Sequence, residues 1–183
     1  MVVPLPRQAV TAMLHGKLPA HGDFVSRGLE PLARDALDAW LAGSLAEARM
    51  TLGDRFEQAY DAAPPWRFVS REGEGWTAGA LAASVDAVGR RYPVLLARGG
   101  LTDNEAVATA GQIERLIYDA LAEGWDADRL YAAALALTST EGDARADEGW
   151  WTVDAARLTV ARLDGVWPAG LWTAILTVDQ DQR

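Results

Sequence analysis

The stretch Pro93-Val94-Leu95-Leu96-Ala97-Arg98-Gly99-Gly100-Leu101-Thr102-Asp103-Asn104-Glu105 decides the fold. Pro93 to Ala97 is a nearly continuous apolar run, which suits a central strand covered on both faces. Thr102 and Glu105 then stand three apart before an apolar-periodic segment, the spacing of a capping box. A buried strand feeding directly into a capped helix implies an α/β protein. The helix runs about five turns, with Ala106, Ala110, Ile113, Ile117 and Leu121 on its buried face and Gly124 at its end.

Outward from there, Asp126 is placed to cap a further helix over Ala127 to Leu137. Upstream, Trp66 to Val69 and Trp76 to Ser84 read as strands. Ala9 to Leu14 reads as a first strand with Val10, Ala12 and Leu14 on one face. Pro31 opens a helix whose core stripe is Leu37, Trp40, Leu41 and Leu45, joined by Ala33, Ala36 and Ala48. Gly53 ends it, and Asp54 is placed to cap a short helix in which Phe56 and Tyr60 stack one turn apart. Downstream, Thr138 to Gly149 is a polar, acidic loop. Trp150 to Val153 and Leu158 to Arg162 read as strands, and Pro168 starts a last short helix. Helices and strands interleave, yet some strand pairs have short connections. The expectation is a three-layer α/β/α sandwich with a mixed, largely antiparallel sheet, in one domain over 1–183 with its core at about 8–178.

Composition narrows the function classes. The chain has 183 residues, half of them hydrophobic, with eight Trp and no Cys. Disulfides, thiol catalysis and thiolate metal sites are therefore excluded. No apolar run approaches the roughly 18 residues of a membrane helix, and Met1 to Pro6 does not read as a signal peptide. Net charge is −9, of which residues 101–165, with 13 acidic and 5 basic side chains, carry −8. Such a surface repels phosphate backbones, which argues against nucleic acid and for a basic protein partner, or it serves solubility alone.

No catalytic or cofactor signature is complete. Gly16 to Asp23 lacks the terminal Gly-Lys-Ser/Thr of a phosphate-binding loop. Ser84 lacks the flanking glycines of a nucleophile elbow, and only His15 and His21 could serve it as base. His15, His21 and Asp23 are metal-ligand types at a spacing with no motif. Glu141, Asp143, Asp147 and Glu148 lack the calcium-loop register. In Trp150-Trp151, adjacent strand positions face opposite sides. Either Trp151 is an exposed interface anchor or both rings are buried.

Three blocks carry a family resemblance. The first is Gly16-Lys17-Leu18-Pro19-Ala20-His21-Gly22-Asp23-Phe24-Val25-Ser26-Arg27. The second is Pro65-Trp66-Arg67-Phe68. The third runs from Gly79 through Ser84-Val85-Asp86-Ala87-Val88-Gly89-Arg90-Arg91-Tyr92-Pro93. Together they resemble the TagF (ImpM) family over about residues 14 to 177. Gly149-Trp150-Trp151 is similar to a further family element but lacks its Ser, and Ala83 stands where many members have Pro. The resemblance implies an α/β/α sandwich in the bacterial cytoplasm. It also implies a non-enzymatic accessory that regulates, generally represses, type VI secretion after translation. The implied partners are a forkhead-associated (FHA) scaffold and a Ser/Thr kinase–phosphatase pathway. It implies no catalytic residue, cofactor or metal. The alternative reading is a small hydrolase or phosphate-handling enzyme using the charged loops 16–28 and 84–93.

Lys17, Asp23, Arg27, Ser84, Asp86, Arg90 and Trp151 are the residues these blocks single out for loop bracing or an interface. Charges among apolar neighbours pair when they are partly buried. The two loops are therefore expected side by side, with Asp23 or Asp86 bonded to Arg90 or Arg27.

Overall fold

The computed structural model describes residues 9–178. In chain order the elements are β1 (Thr11–Gly16), β2 (Val25–Arg27), α1 (Pro31–Leu52), a 3₁₀ turn (Gly53–Arg55), α2 (Phe56–Asp61), β3 (Trp66–Glu72), β4 (Gly75–Ala82) and β5 (Val94–Leu101). There follow α3 (Asp103–Glu123), α4 (Ala127–Ala136), β6 (Gly149–Val153), β7 (Thr159–Asp164) and α5 (Leu171–Thr177). The strands form one seven-stranded sheet in the order β2-β1-β5-β4-β3-β6-β7.

Every neighbouring pair in that sheet is antiparallel, so the expected mixed sheet is corrected. The reason lies in the connections. β1–β2, β3–β4, β4–β5 and β6–β7 are joined without helices. The strands linked through helices, β2 to β3 and β5 to β6, are not neighbours in the sheet. A helical crossover would make a parallel pair only if it returned beside the strand it left.

Alternation along the strands sends side chains to two opposite cores. Phe68, Leu81, Leu95, Ala97 and Trp150 pack with Leu37, Leu41 and Leu45 of α1, Tyr60 of α2 and Trp172 of α5. The alternate residues Leu14, Ala80, Ala82, Val94 and Leu96 pack with Ile113 and Ile117 of α3 and Leu130 of α4. Val69, Ala78 and Leu101 meet Ala106 and Ala110 further along α3. The capping box forms as expected, with Glu105 Oε2 accepting from the Thr102 N–H at 2.9 Å. Gly124 closes α3 at φ +66, the left-handed conformation that favours glycine.

Four local expectations change. Val10 precedes β1 and is exposed. Ala33 and Ala36 are exposed because the first two turns of α1 stand clear of the core, which begins at Leu37. Asp54 lies inside the 3₁₀ turn, and α2 has no side-chain cap. Trp151 is not an exposed anchor. β6 is covered on both faces, so Trp150 stacks on Phe68 at 4.4 Å while Trp151 packs on the α3 side.

Candidate functional site

The end of β1, the end of β4 and the start of β5 lie together at one end of the sheet's strands, because Gly16 pairs with Val94 and Val94 with Ala82. That register brings segment 17–24, which follows β1, against segment 83–93, which links β4 to β5. Gly16 makes the approach possible. Its φ is +131, and a Cβ there would lie 2.0 Å from the Pro93 carbonyl oxygen. The next residue, Lys17, donates its backbone N–H to that same oxygen at 3.1 Å.

Asp86 is the centre of the contact and is 2 % exposed. Its Oδ2 accepts from Lys17 Nζ at 2.8 Å and from Arg90 Nε at 2.6 Å. Its Oδ1 accepts from the backbone N–H of Val88 at 3.1 Å and of Arg90 at 2.9 Å. Burial opposes the charge. The bonds from Lys17, Arg90 and Val88 outweigh it and hold the carboxyl well below the usual carboxylate range. Lys17, itself 6 % exposed, is thereby paired rather than stranded.

Further bonds lock the two segments. Arg90 donates to the Gly22 carbonyl at 2.6 Å, and the Ala87 N–H donates to the His21 carbonyl at 2.8 Å. Ser84 Oγ donates to the Lys17 carbonyl at 2.8 Å. The Tyr60 hydroxyl accepts from the Ser84 N–H and donates to the Ser84 C=O, both at 3.1 Å. The brace turns two apolar side chains outward beside Asp23 and Arg90: Phe24 is 48 % and Val88 72 % exposed.

The structure thus brings together Lys17, Ser84, Asp86 and Arg90, and leaves out the other two charged residues. Asp23 is exposed and accepts from the adjacent Phe24 N–H at 2.8 Å. Arg27 reaches Asp128 of α4 at 2.7 Å. Arg91 turns away to grip Asp61 through two 2.8 Å bonds, which lower the Asp61 pKa and raise that of Arg91.

The sequence missed a neighbouring trio. Asp38 Oδ1 lies 3.1 Å from His15 Nε2 and accepts from the Tyr92 hydroxyl at 2.7 Å. Burial and that carboxylate both push the Tyr92 phenol up. Phe24 packs edge-on against Tyr92 at 4.7 Å, so the trio supports the exposed ring from beneath. These residues are 23 and 54 positions apart and carry no local signal. Each histidine bonds through Nε2: His15 to Asp38, and His21 accepting from the Ala127 N–H at 3.0 Å, where α4 begins. Among the described residues no group of three or more His, Cys, Asp or Glu side chains could hold a metal ion, and no helix is long and apolar enough to cross a membrane.

Fold and site define an α/β protein with an all-antiparallel sheet and a charge-braced pair of loops at one end of its inner strands. No curated protein matches the chain. Among solved structures it is similar to PA0076 from Pseudomonas aeruginosa PAO1. The TM-score is 0.72 and the identity 24 %, over 92 % of this chain and 95 % of that one. The likeness shows a shared fold. Residues 13–137 match the model for the TagF N-terminal domain, type VI secretion system-associated, and the chain belongs to that family.

Proposed function

We propose that this protein is a cytoplasmic regulator of a type VI secretion system that acts by binding and has no catalytic activity. Its action is post-translational repression: it engages an FHA-domain scaffold of the machine, alongside a kinase–phosphatase pathway. The observation that carries this is the braced loop pair. A buried Lys17–Asp86–Arg90 cluster fixes two loop tips, and those tips present Phe24 and Val88 to solvent. Rigid apolar side chains ringed by polar groups have the character of a binding hot spot. The two cores on alternate strand residues support a three-layer α/β/α arrangement as the scaffold for this surface.

The acidic half plays a smaller part than its charge suggests. Asp103, Glu114, Glu123, Asp128, Asp147 and Asp164 are each paired with an arginine. Glu148 accepts from the Arg71 backbone N–H. Long-range attraction to a basic partner then rests on exposed acids such as Glu141 and Asp143, which affect encounter more than affinity. The hydrolase alternative has little to build on. Ser84 Oγ is spent on the Lys17 carbonyl, and His15 and His21 bond elsewhere.

The test is binding of the purified protein to the FHA scaffold by surface plasmon resonance. Phe24→Ala and Val88→Asp should each weaken the complex by about tenfold or more. Charge reversal at Glu141 and Asp143 should slow association at low salt and leave dissociation alone. Absence of scaffold binding, or wild-type affinity in both loop variants, refutes the proposal.

A further inference from the structure

At the far side of the sheet from α1, a cleft of about 300 Å³ opens between α3, the Pro64–Pro65 segment and the β6–β7 turn. Arg67, Arg115 and Arg157 line it, with Glu114, Asp154, Tyr118 and Val153. Arg67 is clamped to Glu114 by two bonds, at 2.7 and 3.1 Å, and forms a fixed wall. Arg115 and Arg157 are different. Neither has an acid, carbonyl or ring partner among the described residues, in a half of the chain where Arg129, Arg145 and Arg162 are all paired with acids. The only other described arginine in that condition is Arg55, which lies elsewhere. Two of three unpaired guanidinium groups therefore converge on one cleft.

Backbone conformation is a second, independent observation. Arg157 has φ +65 and is the only described residue other than glycine with positive φ. It occupies the tight β6–β7 turn, where its N–H donates to the Asp154 carbonyl at 2.9 Å. Glycine fills such a position without steric strain; an L side chain does not. An arginine held there against strain, at the mouth of a cleft and without a partner, points to a ligand for its side chain.

We propose that this cleft binds the phosphate group of a small-molecule phosphate monoester. The two uncommitted guanidinium groups outweigh the Asp154 carboxylate, which accepts from the Leu158 N–H, so the cleft is net cationic, and their forked donors match phosphate oxygens. A carboxylate offers two acceptor oxygens to the two forks, a phosphate monoester three. The space exceeds what phosphate alone needs. Pro64, Pro65, Val153 and the ring of Tyr118, which is 51 % exposed, offer apolar walls for an organic remainder. This site is separate from the braced loops and does not depend on their proposed role.

Isothermal titration calorimetry with adenosine 5′-monophosphate, inorganic phosphate and adenosine in chloride buffer tests it. The expected result is saturable one-to-one binding of the monophosphate at pH 8, with adenosine about tenfold weaker or worse. Binding should weaken at pH 5, below the second phosphate pKa of about 6. Arg115→Ala and Arg157→Gly should each weaken it by about tenfold, while Arg55→Ala leaves it unchanged. Arg157→Gly also relieves the turn, so its thermal midpoint should equal or exceed wild type, which separates lost binding from lost folding. The proposal is overturned if neither the monophosphate nor phosphate binds, if adenosine matches the monophosphate, or if Arg157→Gly keeps wild-type affinity.

Discussion

Replacing Tyr60 by Phe removes one oxygen and leaves the ring stack on Trp172, at 5.3 Å, in place. That oxygen serves both backbone groups of Ser84. After the change the Ser84 C=O keeps the Tyr92 N–H at 3.1 Å, whereas the Ser84 N–H has no other partner among the described residues. Tyr60 is almost wholly buried, so water does not replace the hydroxyl. A buried donor left unsatisfied costs about 1–3 kcal/mol, and the lost bond to the C=O adds about 0.5–1.5. The expected destabilisation is about 1.5–4.5 kcal/mol, or a fall of about 3–18 °C in thermal midpoint for a chain of this size. Urea unfolding followed by tryptophan fluorescence measures it. The midpoint should fall with an unchanged m-value, and hydrogen exchange at the Ser84 amide should accelerate. A loss below about 0.5 kcal/mol would show that the Ser84 backbone is satisfied in some other way, and the account of how α2 anchors segment 83–93 would fail.

Gly16→Ala combines a positive φ with a Cβ 2.0 Å from the Pro93 oxygen, so it should destabilise by about 3–5 kcal/mol in the same assay. Asp86 has a folded-state pKa below its unfolded value of about 3.9. Its stabilising effect is therefore complete above that value and lost as pH falls through the folded pKa. Asp86→Asn should flatten the stability–pH curve below about pH 4 and leave its slope near neutrality unchanged. Trp150→Ala empties the stack against Phe68 and should cost about 3–5 kcal/mol. Half-exposed Trp167→Ala should cost about 1 kcal/mol, and equal losses would contradict the burial described.

What could be read from the sequence is what local chemistry determines. Thr102 and Glu105 bond each other's backbone whatever lies around them, and Pro93 to Ala97 has no polar face to expose. β2 carries no sequence signal of its own, because three residues show no periodicity and it is defined by pairing with β1, Leu14 with Arg27. Strand direction is illegible for a similar reason: where a crossover strand inserts is decided across the sheet, not within the connection. At the candidate site, buried charge between Gly and Pro turns gave a usable signal for Lys17, Asp86 and Arg90. Asp23 and Arg27 have the same composition around them, yet Asp23 is exposed and Arg27, at the end of β2, turns to Asp128. No sequence pattern joins Arg115 to Arg157, since the cleft exists only once α3 and the β6–β7 turn meet.

The order of strands also sets a sequence of events for the chain as it folds. β3, β4 and β5 are consecutive and adjacent, so residues 66–101 can zip by short loop closures. β1 must instead return to β5 across the whole of α1, α2 and two hairpins, pairing Gly16 with Val94. That long closure carries the larger entropic cost and should come later. Lys17 and Asp86 sit on opposite sides of it, so their contact is made only when β1, distant in sequence, has paired with β5. An incompletely folded or truncated chain would retain much of its secondary structure and still lack the braced surface.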